Sequence, residues 1–437
     1  ATSDNAATTS VGARGRWTLQ YEAGPLGIAV GGAIYFQGSP FWNWSEPQCD
    51  EEFAPGFTRA SSAAPGVELE VLGLPQMMCV KIRGRARGSG ERVTFEYGAG
   101  EAGAVADAYA ERGSRFWFAV DGDGDDVRSI VADGASIDVR PGPAALLSAL
   151  LTSTARPGAT VKLTLSVLDA RADIVEPLDA RIEILDAPQD LELPREIVLS
   201  PADRGRKSVN FVVGAEGVLR LKVRAIVGAV VLETTTNPLF VAPTGPRILW
   251  GDLHGHSAVS DGTGTPEDWF EYARDVAALD VASLTDHDHW GMLFMDEHPE
   301  LWTRNVAVAR AFDAPGAFVA LPGYEWTNWI HGHRHVLYFG DEAPLLSSMD
   351  PRYESPQQLW AALRGLKALT IPHHPAGGPI AIDWRVASDA QLEPVVEVCS
   401  AHGSSEADDT PRMIHSPQAQ HFARDALERG LRLGFVG

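Results

Sequence analysis

The sequence predicts a multidomain protein in which two N-terminal all-β, sandwich-like domains precede an α/β domain. Short runs of alternating polar and apolar residues, separated by glycine-rich turns, occupy the first part of the chain. After Pro246 the pattern changes to strands that alternate with helices, which favours parallel β/α units. All 13 histidines lie between His254 and His421, so the change in pattern coincides with a change in composition.

The two β domains are predicted over residues 1–141 and 142–243. In the first, Arg92–Tyr97 alternates polar with apolar residues. In the second, Thr160–Leu168 alternates in the same way, which is typical of a half-buried strand in an antiparallel sheet. The second domain is therefore predicted to be an immunoglobulin-like β-sandwich. Neither segment shows a pattern that indicates chemistry, so both are expected to be scaffolds or substrate-presenting modules.

The third domain is predicted over residues 247–437 as a TIM-like β/α barrel. Seven strand-like segments support this prediction. They cover residues 248–256, 281–285, 317–321, 335–339, 368–371, 395–399 and 431–436.

Composition excludes several classes of protein. The 437 residues carry 36 Lys+Arg against 58 Asp+Glu, a net charge of −22, which argues against nucleic acid or an anionic membrane as a partner. No apolar run approaches the ~20 residues of a membrane-spanning helix, so a soluble protein is expected. The first ten residues do not resemble a signal segment, so export stays open. The sequence indicates no particular oligomeric state. Three cysteines are too few for a disulfide scaffold or a cysteine-rich zinc site.

The predicted barrel strands end in residue types that bind metals, at the strand ends where β/α barrels hold their active sites. His254 and His256 are two residues apart in an extended segment, so their side chains point the same way and can bind the same metal ion. The motifs in chain order are Asp-Leu-His-Gly-His-Ser at 252–257, Ser-Asp-Gly at 260–262, Thr-Asp-His at 285–287, Gly-Tyr-Glu at 323–325, His-Gly-His-Arg-His at 331–335, Pro-His-His-Pro at 372–375 and Val-Glu-Val-Cys at 396–399. Together they predict a multinuclear metal site.

This ordered set resembles the PHP (polymerase and histidinol phosphatase) metallohydrolases, in particular the branch with β-sandwich domains before the barrel. The resemblance implies a distorted seven-stranded barrel with two to three divalent metal ions, zinc, manganese or iron. It also implies the metal ligands. His254 and His256 would bind the first metal, Glu325 would bridge to the second, His333 and His373 would complete the second site, and His287 and Asp261 would serve a third.

Two features of the implied site stay open. His335 and His374 are alternatives to the neighbouring histidines at 333 and 373. The family closes its site with an Asp-x-His pair after the seventh strand, whereas this sequence stops at Gly437. We therefore expect the protein to continue beyond this residue.

The predicted function is a metal-dependent phosphoesterase that uses a metal-activated water on a small-molecule or glycan-linked anionic substrate. Arg334 would either bind a phosphate oxygen or form a structural ion pair. His402 or His289 would protonate the leaving group. One alternative is a metallohydrolase that acts on a carboxylic ester, lactone or amide. Another is a non-catalytic carbohydrate- or surface-binding protein with a degenerate barrel.

Several tryptophans fall near the predicted site. They either line a pocket for a sugar or aromatic group or belong to the core. These are Trp290, Trp302, Trp326, Trp329 and Trp384.

Overall fold

The structure is a computed structural model that describes residues 2–3, 8–132, 134–189, 191–386 and 388–436. The chain divides into two compact units, Ala1–Thr244 and Gly245–Gly437. In the described part of unit 1, strands predominate and the one helical element is the 3-10 turn Pro201–Asp203. Unit 2 combines short strands with four helices.

The first half of unit 1 is a β-sandwich. Its strands are β1 Thr2–Ser3, β2 Thr8–Ser10, β3 Arg14–Gly15, β4 Trp17–Glu22, β5 Ala33–Gln37, β6 Thr58–Ser62, β7 Val67–Leu74, β8 Met77–Gly84, β9 Arg92–Tyr97, β10 Ala104–Val105, β11 Glu111–Arg115, β12 Trp117–Asp121, β13 Ser129–Ile130 and β14 Ser136–Arg140. An antiparallel sheet in the order β1-β4-β9-β6 packs against another in the order β13-β12-β5-β8-β7. Phe36 from β5 meets Phe95 from β9 in the core between them, with ring centroids 5.7 Å apart.

The second half of unit 1 has a core of its own. Its strands are β15 Leu146–Leu151, β16 Thr154–Ala155, β17 Thr160–Leu168, β18 Ala180–Ile184, β19 Glu196–Leu199, β20 Arg206–Val212, β21 Gly217–Leu219, β22 Lys222–Val227, β23 Val230–Thr235 and β24 Leu239–Val241. The sheets run β15-β17-β20, β19-β18-β22-β23 and β16-β24-β21. Leu165 from β17 and Ile182 from β18 lie in one fully buried apolar cluster. Strand β17 has the bounds that its alternating pattern predicts.

The described part of unit 2 is built from short, separate sheets of two or three strands. Its elements are β25 Gly251–Asp252, α1 Pro266–Asp275, β26 Val281–Ala282, α2 Pro299–Phe312, β27 Val319–Ala320, β28 Gly323–Trp326, β29 Arg334–Tyr338, α3 Pro356–Leu363, β30 Ala368–Pro372, β31 Val395–Glu397, β32 Cys399–Ser400, β33 Gly403–Ser404, α4 Ala423–Glu428 and β34 Gly434–Val436. Strands β25-β26-β27 form a parallel sheet, β28-β29-β30 an antiparallel sheet and β31-β34 a parallel pair.

The prediction of an α/β barrel is wrong. The described chain is mostly β-sheet, and its four helices have only 6 to 14 residues. A parallel barrel needs a crossover between consecutive strands, usually a helix. Here residues 327–333 join β28 to β29 as a hairpin, and the two strands are antiparallel. The predicted strand at 335–339 corresponds to β29, but no strand was predicted at β28, and a strand-like segment fits parallel and antiparallel pairing equally well.

Helix α1 begins at the run Thr-Pro-Glu-Asp at 265–268, which is typical of a helix start. Thr265 caps it by accepting a hydrogen bond from the Asp268 amide, and Pro266 follows in the first turn. Phe270 on α1 is buried in one apolar cluster with Ala309 of α2 and Ala320 of β27, so these two helices cover the parallel sheet. Among the described residues, no helix has the length and apolar character needed to cross a membrane.

Candidate metal centre

The antiparallel sheet of unit 2 places four potential metal ligands on one face. Glu325 of β28 lies directly opposite His335 of β29, and His335 lies opposite Ile371 of β30. Residues paired directly across an antiparallel ladder share a face, and so do residues two apart along a strand. His333 and His373 therefore fall on the same face as Glu325 and His335.

The extended segments after the parallel strands bring further histidines to this face. His254 and His256 follow β25, and His287 follows β26. His287 forms an isolated parallel bridge with Glu325. Two backbone hydrogen bonds hold the segments together, because the Glu325 amide donates to the Asp286 carbonyl at 3.0 Å and the amide of residue 288 donates to the Glu325 carbonyl at 2.9 Å.

The acids on either side of His287 hold the loops that surround the site. Asp286 is fully buried and accepts hydrogen bonds from the Ser257 amide and hydroxyl, both at 2.8 Å. Asp288 is also fully buried and accepts a bond from the Thr327 amide at 2.9 Å. Their carboxylates therefore position the His254–His256 segment and the chain after β28.

Glu325 lies at the centre of the histidine cluster, with 1% of its surface exposed. Its Oε1 lies 2.8 Å from His333 Nδ1, 3.2 Å from His287 Nδ1 and 3.3 Å from His373 Nε2, and its Oε2 lies 3.5 Å from His256 Nε2. Ligand atoms around a tetrahedral metal at ~2.1 Å are roughly 3.4 Å apart. The separations from His333, His373 and His256 are compatible with a shared metal, whereas His287 Nδ1 lies closer to the Thr327 hydroxyl, at 2.7 Å.

Among the described residues of unit 2 there are four overlapping groups of potential ligands, and the ligand atoms of each group lie within 4.8 Å of one another. The groups are Glu325–His333–His373–His374, His254–His335–His373, His254–His256–Glu325 and His256–Asp261–His287. All seven metal ligands predicted from the sequence are in these groups. The sharing of Glu325, His254, His256 and His373 between groups fits two or more metal ions.

The buried ring nitrogens also fit a metal. His335 and His373 are 1% and 0% exposed, and none of their ring nitrogens makes a hydrogen bond to the described part of the chain. A buried polar atom without a hydrogen bond is costly, and coordination to a metal would remove that cost.

Polar groups behind the ligands orient two of the rings. His254 Nδ1 lies 3.1 Å from both carboxylate oxygens of Glu397. His287 Nδ1 lies 2.7 Å from the Thr327 hydroxyl, and its Nε2 lies 3.4 Å from Asp261 Oδ1. Carboxylate and hydroxyl partners of this kind fix the ring orientation of metal-bound histidines. Glu397 was not among the predicted site residues, although it is the last residue of β31 and belongs to the Val-Glu-Val-Cys motif at 396–399.

The charges of the cluster suit metal binding. Burial lowers the pKa of His335 and His373 well below the usual value, and it lowers that of His256 to about 3. Burial would also lower the pKa of His287, but the Glu325 and Asp261 carboxylates outweigh it and raise the pKa to about 10. Burial acts against ionisation of Glu325, yet the charges of His287 and His373 hold its pKa well below the usual range. The site thus offers neutral imidazoles at His256, His335 and His373 beside an ionised Glu325, the forms that bind metals, whereas His287 keeps a proton at neutral pH in the metal-free chain.

The two predicted proton donors have different positions. His402 is exposed, and its ring centroid lies 5.5 Å from that of His374 and 6.4 Å from that of His254, at the margin of the cluster. His289 has its Nδ1 2.9 Å from Asp296, and its ring packs on Phe294 at 4.2 Å. His402 is thus the donor that adjoins the potential ligands.

Arg334 lies on the opposite face of β29 from His333 and His335. It is 2% exposed, and its Nε donates to Glu393 Oε2 at 2.7 Å. Its guanidinium also lies 5.9 Å from the ring of Trp326. Of the two roles considered from the sequence, the structure contains the ion pair, and the period-two alternation of the strand directs the side chain away from the cluster.

Comparisons with known proteins identify relatives without a known function. Residues 275–416 match the family described as "Protein of unknown function (DUF3604)". An uncharacterized protein of Chlamydia pneumoniae is 25% identical over 203 residues, which are 45% of this chain and 32% of that protein. An uncharacterized protein of Chlamydia muridarum is 25% identical over 236 residues, which are 52% of this chain and 37% of that protein. The matched part of the chain thus spans about a third of the length of these relatives.

The similarity of this chain to solved structures is low. The D0-D1 domain of intimin aligns with 55% of this chain and 97% of its own, at 13% identity and a TM-score of 0.18. That similarity is too low to inform the fold or the function of this chain.

The resemblance to PHP metallohydrolases is a wrong assignment. The family that matches is DUF3604, and unit 2 has a mixed set of short sheets where a β/α barrel was expected. The motifs specify which ligand types follow strands and in which order. They do not specify the direction of those strands, so one ligand order suits more than one topology.

Proposed function

We propose that the histidine cluster binds two or more divalent cations and that the protein uses them to hydrolyse an anionic ester, with phosphate mono- and diesters as the first candidates. The observation that carries this proposal is the buried Glu325 carboxylate, which belongs to two of the four ligand groups. Imidazole nitrogens with a shared carboxylate suit zinc, manganese or iron. The related proteins have no named activity, so the support for catalysis is geometric.

Different residues of the chain would have different roles in such a reaction. Divalent cations in a site of this kind supply an activated water near neutral pH and charge to stabilise the transition state. The buried histidines and Glu325 would hold the cations, while Glu397 and Thr327 would orient His254 and His287. His402, exposed at the margin, would donate a proton to the leaving group.

A non-catalytic carbohydrate- or surface-binding protein is the second candidate. Two observations favour it. Residues before 245 form two β-sandwich cores without a histidine, and Arg334, for which phosphate binding was one of two expected roles, is paired with Glu393. In this case the metals would only stabilise unit 2.

Metal analysis followed by activity assays tests the proposal. The purified chain should contain at least two tightly bound transition metals, and the metal-loaded protein should hydrolyse members of a panel of phosphate mono- and diesters. His256→Ala should lose metal and activity. His298→Ala is the matched control, because His298 is 42% exposed and stands at the start of α2, apart from the ligand groups.

The outcomes separate the candidates. If the protein binds metals and hydrolyses carboxylic esters, lactones or amides but no phosphate ester, the hydrolase proposal stands with a different type of bond cleaved. Bound metals without turnover of any of these classes would favour the non-catalytic protein. A chain that binds no transition metal would overturn both the metal centre and the hydrolase.

A further inference from the structure

Two tryptophans of unit 2 are exposed side by side. Trp290 is 39% exposed and Trp329 is 43% exposed, with ring centroids 5.3 Å apart and ring planes inclined at 58°. The other three tryptophans singled out from the sequence are 0–7% exposed and belong to apolar clusters. Only this pair therefore offers open ring faces among those five.

The exposed pair adjoins the histidine cluster. The ring centroid of Trp329 lies 5.8 Å from that of His333, and His333 Nδ1 lies 2.8 Å from Glu325. Trp290 comes three residues after His287, and Trp329 comes three residues after the end of β28. Each tryptophan is thus carried by a chain segment that also carries a potential ligand.

We propose that Trp290 and Trp329 form a subsite for a flat ring in the substrate of the metal centre. The two indoles contact each other, so a flat ring in the substrate would stack on the exposed surface of either indole, which is a favourable geometry. An anionic group would bind at the cluster while a directly attached ring contacts Trp329. This inference rests on the proposed function and narrows its substrate class to ring-bearing anionic esters.

Exposed indole faces accept either an aromatic ring or the CH face of a sugar ring. The shared chemistry is a flat face that excludes water from the indole. Three phosphonates with a non-hydrolysable P–C bond distinguish an aromatic ring from a saturated, sugar-like ring. Phenylphosphonate carries an aromatic ring, cyclohexylphosphonate a saturated ring and methylphosphonate no ring.

The test is calorimetric titration of the metal-loaded protein with each phosphonate, after its metal content has been measured. We expect one or both ring compounds to bind about tenfold more tightly than methylphosphonate. Trp329→Ala and Trp290→Ala should abolish this preference and keep the metal content. Trp250→Ala is the control and should keep the preference, because Trp250 is 58% exposed and precedes β25, at the end away from His254.

Each outcome decides the inference. A preference for phenylphosphonate assigns the subsite to an aromatic ring, and equal or greater preference for cyclohexylphosphonate assigns it to a saturated ring. Equal dissociation constants for all three compounds, a preference that survives in both tryptophan variants, or a metal-loaded protein that binds none of the compounds would overturn the subsite. Absence of metal from the sample would instead overturn the proposed function.

Discussion

Glu325 lies directly across the β28–β29 ladder from His335, and its carboxylate also reaches His287 from the neighbouring parallel segment. This register pair is the point at which the antiparallel and parallel parts of unit 2 meet. A slip of one residue would move Glu325 to the opposite face, where Trp326 and Arg334 now lie. The proposed metal centre therefore depends on sheet register as much as on the histidines themselves.

Replacing the central carboxylate should dismantle the site without unfolding the chain. Glu325→Gln removes the charge that two ligand groups share, so we expect the number of bound metals to fall to one or fewer, as measured by elemental analysis. Glu300→Gln, at a side chain 70% exposed, should keep the full number. Unchanged metal content in Glu325→Gln would contradict a bridging role.

The Glu397 carboxylate beside His254 should affect the affinity for metal ions but not the number of ions bound. Glu397→Gln keeps the size of the side chain but loses the charge that orients His254 Nδ1 at 3.1 Å. We expect a loss of metal affinity of about 10- to 100-fold. Titration against a competing chelator measures this loss, and the exposed Glu342→Gln serves as control. Equal affinities in the two variants would show that Glu397 neither orients His254 nor binds a metal itself.

Arg334 should contribute to stability and not to substrate binding. Arg334→Met leaves the buried Glu393 carboxylate without its cation, which should reduce the free energy of unfolding by about 3–5 kcal/mol. The double variant Arg334→Met/Glu393→Leu should recover much of that loss, since no buried charge remains. Denaturant unfolding measures both changes. A rise in KM for a phosphate ester with unchanged stability would instead support phosphate binding by Arg334.

A buried acid in unit 1 should make stability depend on pH. Asp107 is fully buried, and burial, together with the Glu111 and Asp173 carboxylates, raises its pKa to about 8. The folded chain thus keeps a proton that the unfolded chain releases above pH 3.8, so this group lowers stability as pH rises from about 4 to about 8.

Asp107→Asn should remove this dependence. The slope lost amounts to at most about 1.4 kcal/mol per pH unit, so the variant should gain stability over the wild type between pH 5 and pH 8. Thermal unfolding at several pH values measures the difference. The exposed Asp123→Asn should follow the wild type. Parallel curves for Asp107→Asn and wild type would contradict a raised pKa.

The positions of the elements could be predicted better than their pairing. Strands β9 and β17 have the bounds that their alternation predicts, and α1 begins at its predicted cap. Residues 218–223 also alternate polar with apolar residues, yet β21 ends at Leu219 and β22 begins at Lys222. Alternation of polar and apolar residues indicates which side chains face a core, but it does not indicate the direction of a strand. For that reason the barrel, and the family resemblance that implied it, were wrong.

The sequence by itself predicted the types of candidate ligand and their order along the chain. It also separated the part of the chain with histidines from the part without them. Only the tertiary structure decided which side chains meet, because that depends on register and on strand direction across long separations. It brought Glu397 to His254, turned Arg334 away to Glu393 and left Trp290 and Trp329 exposed beside His333.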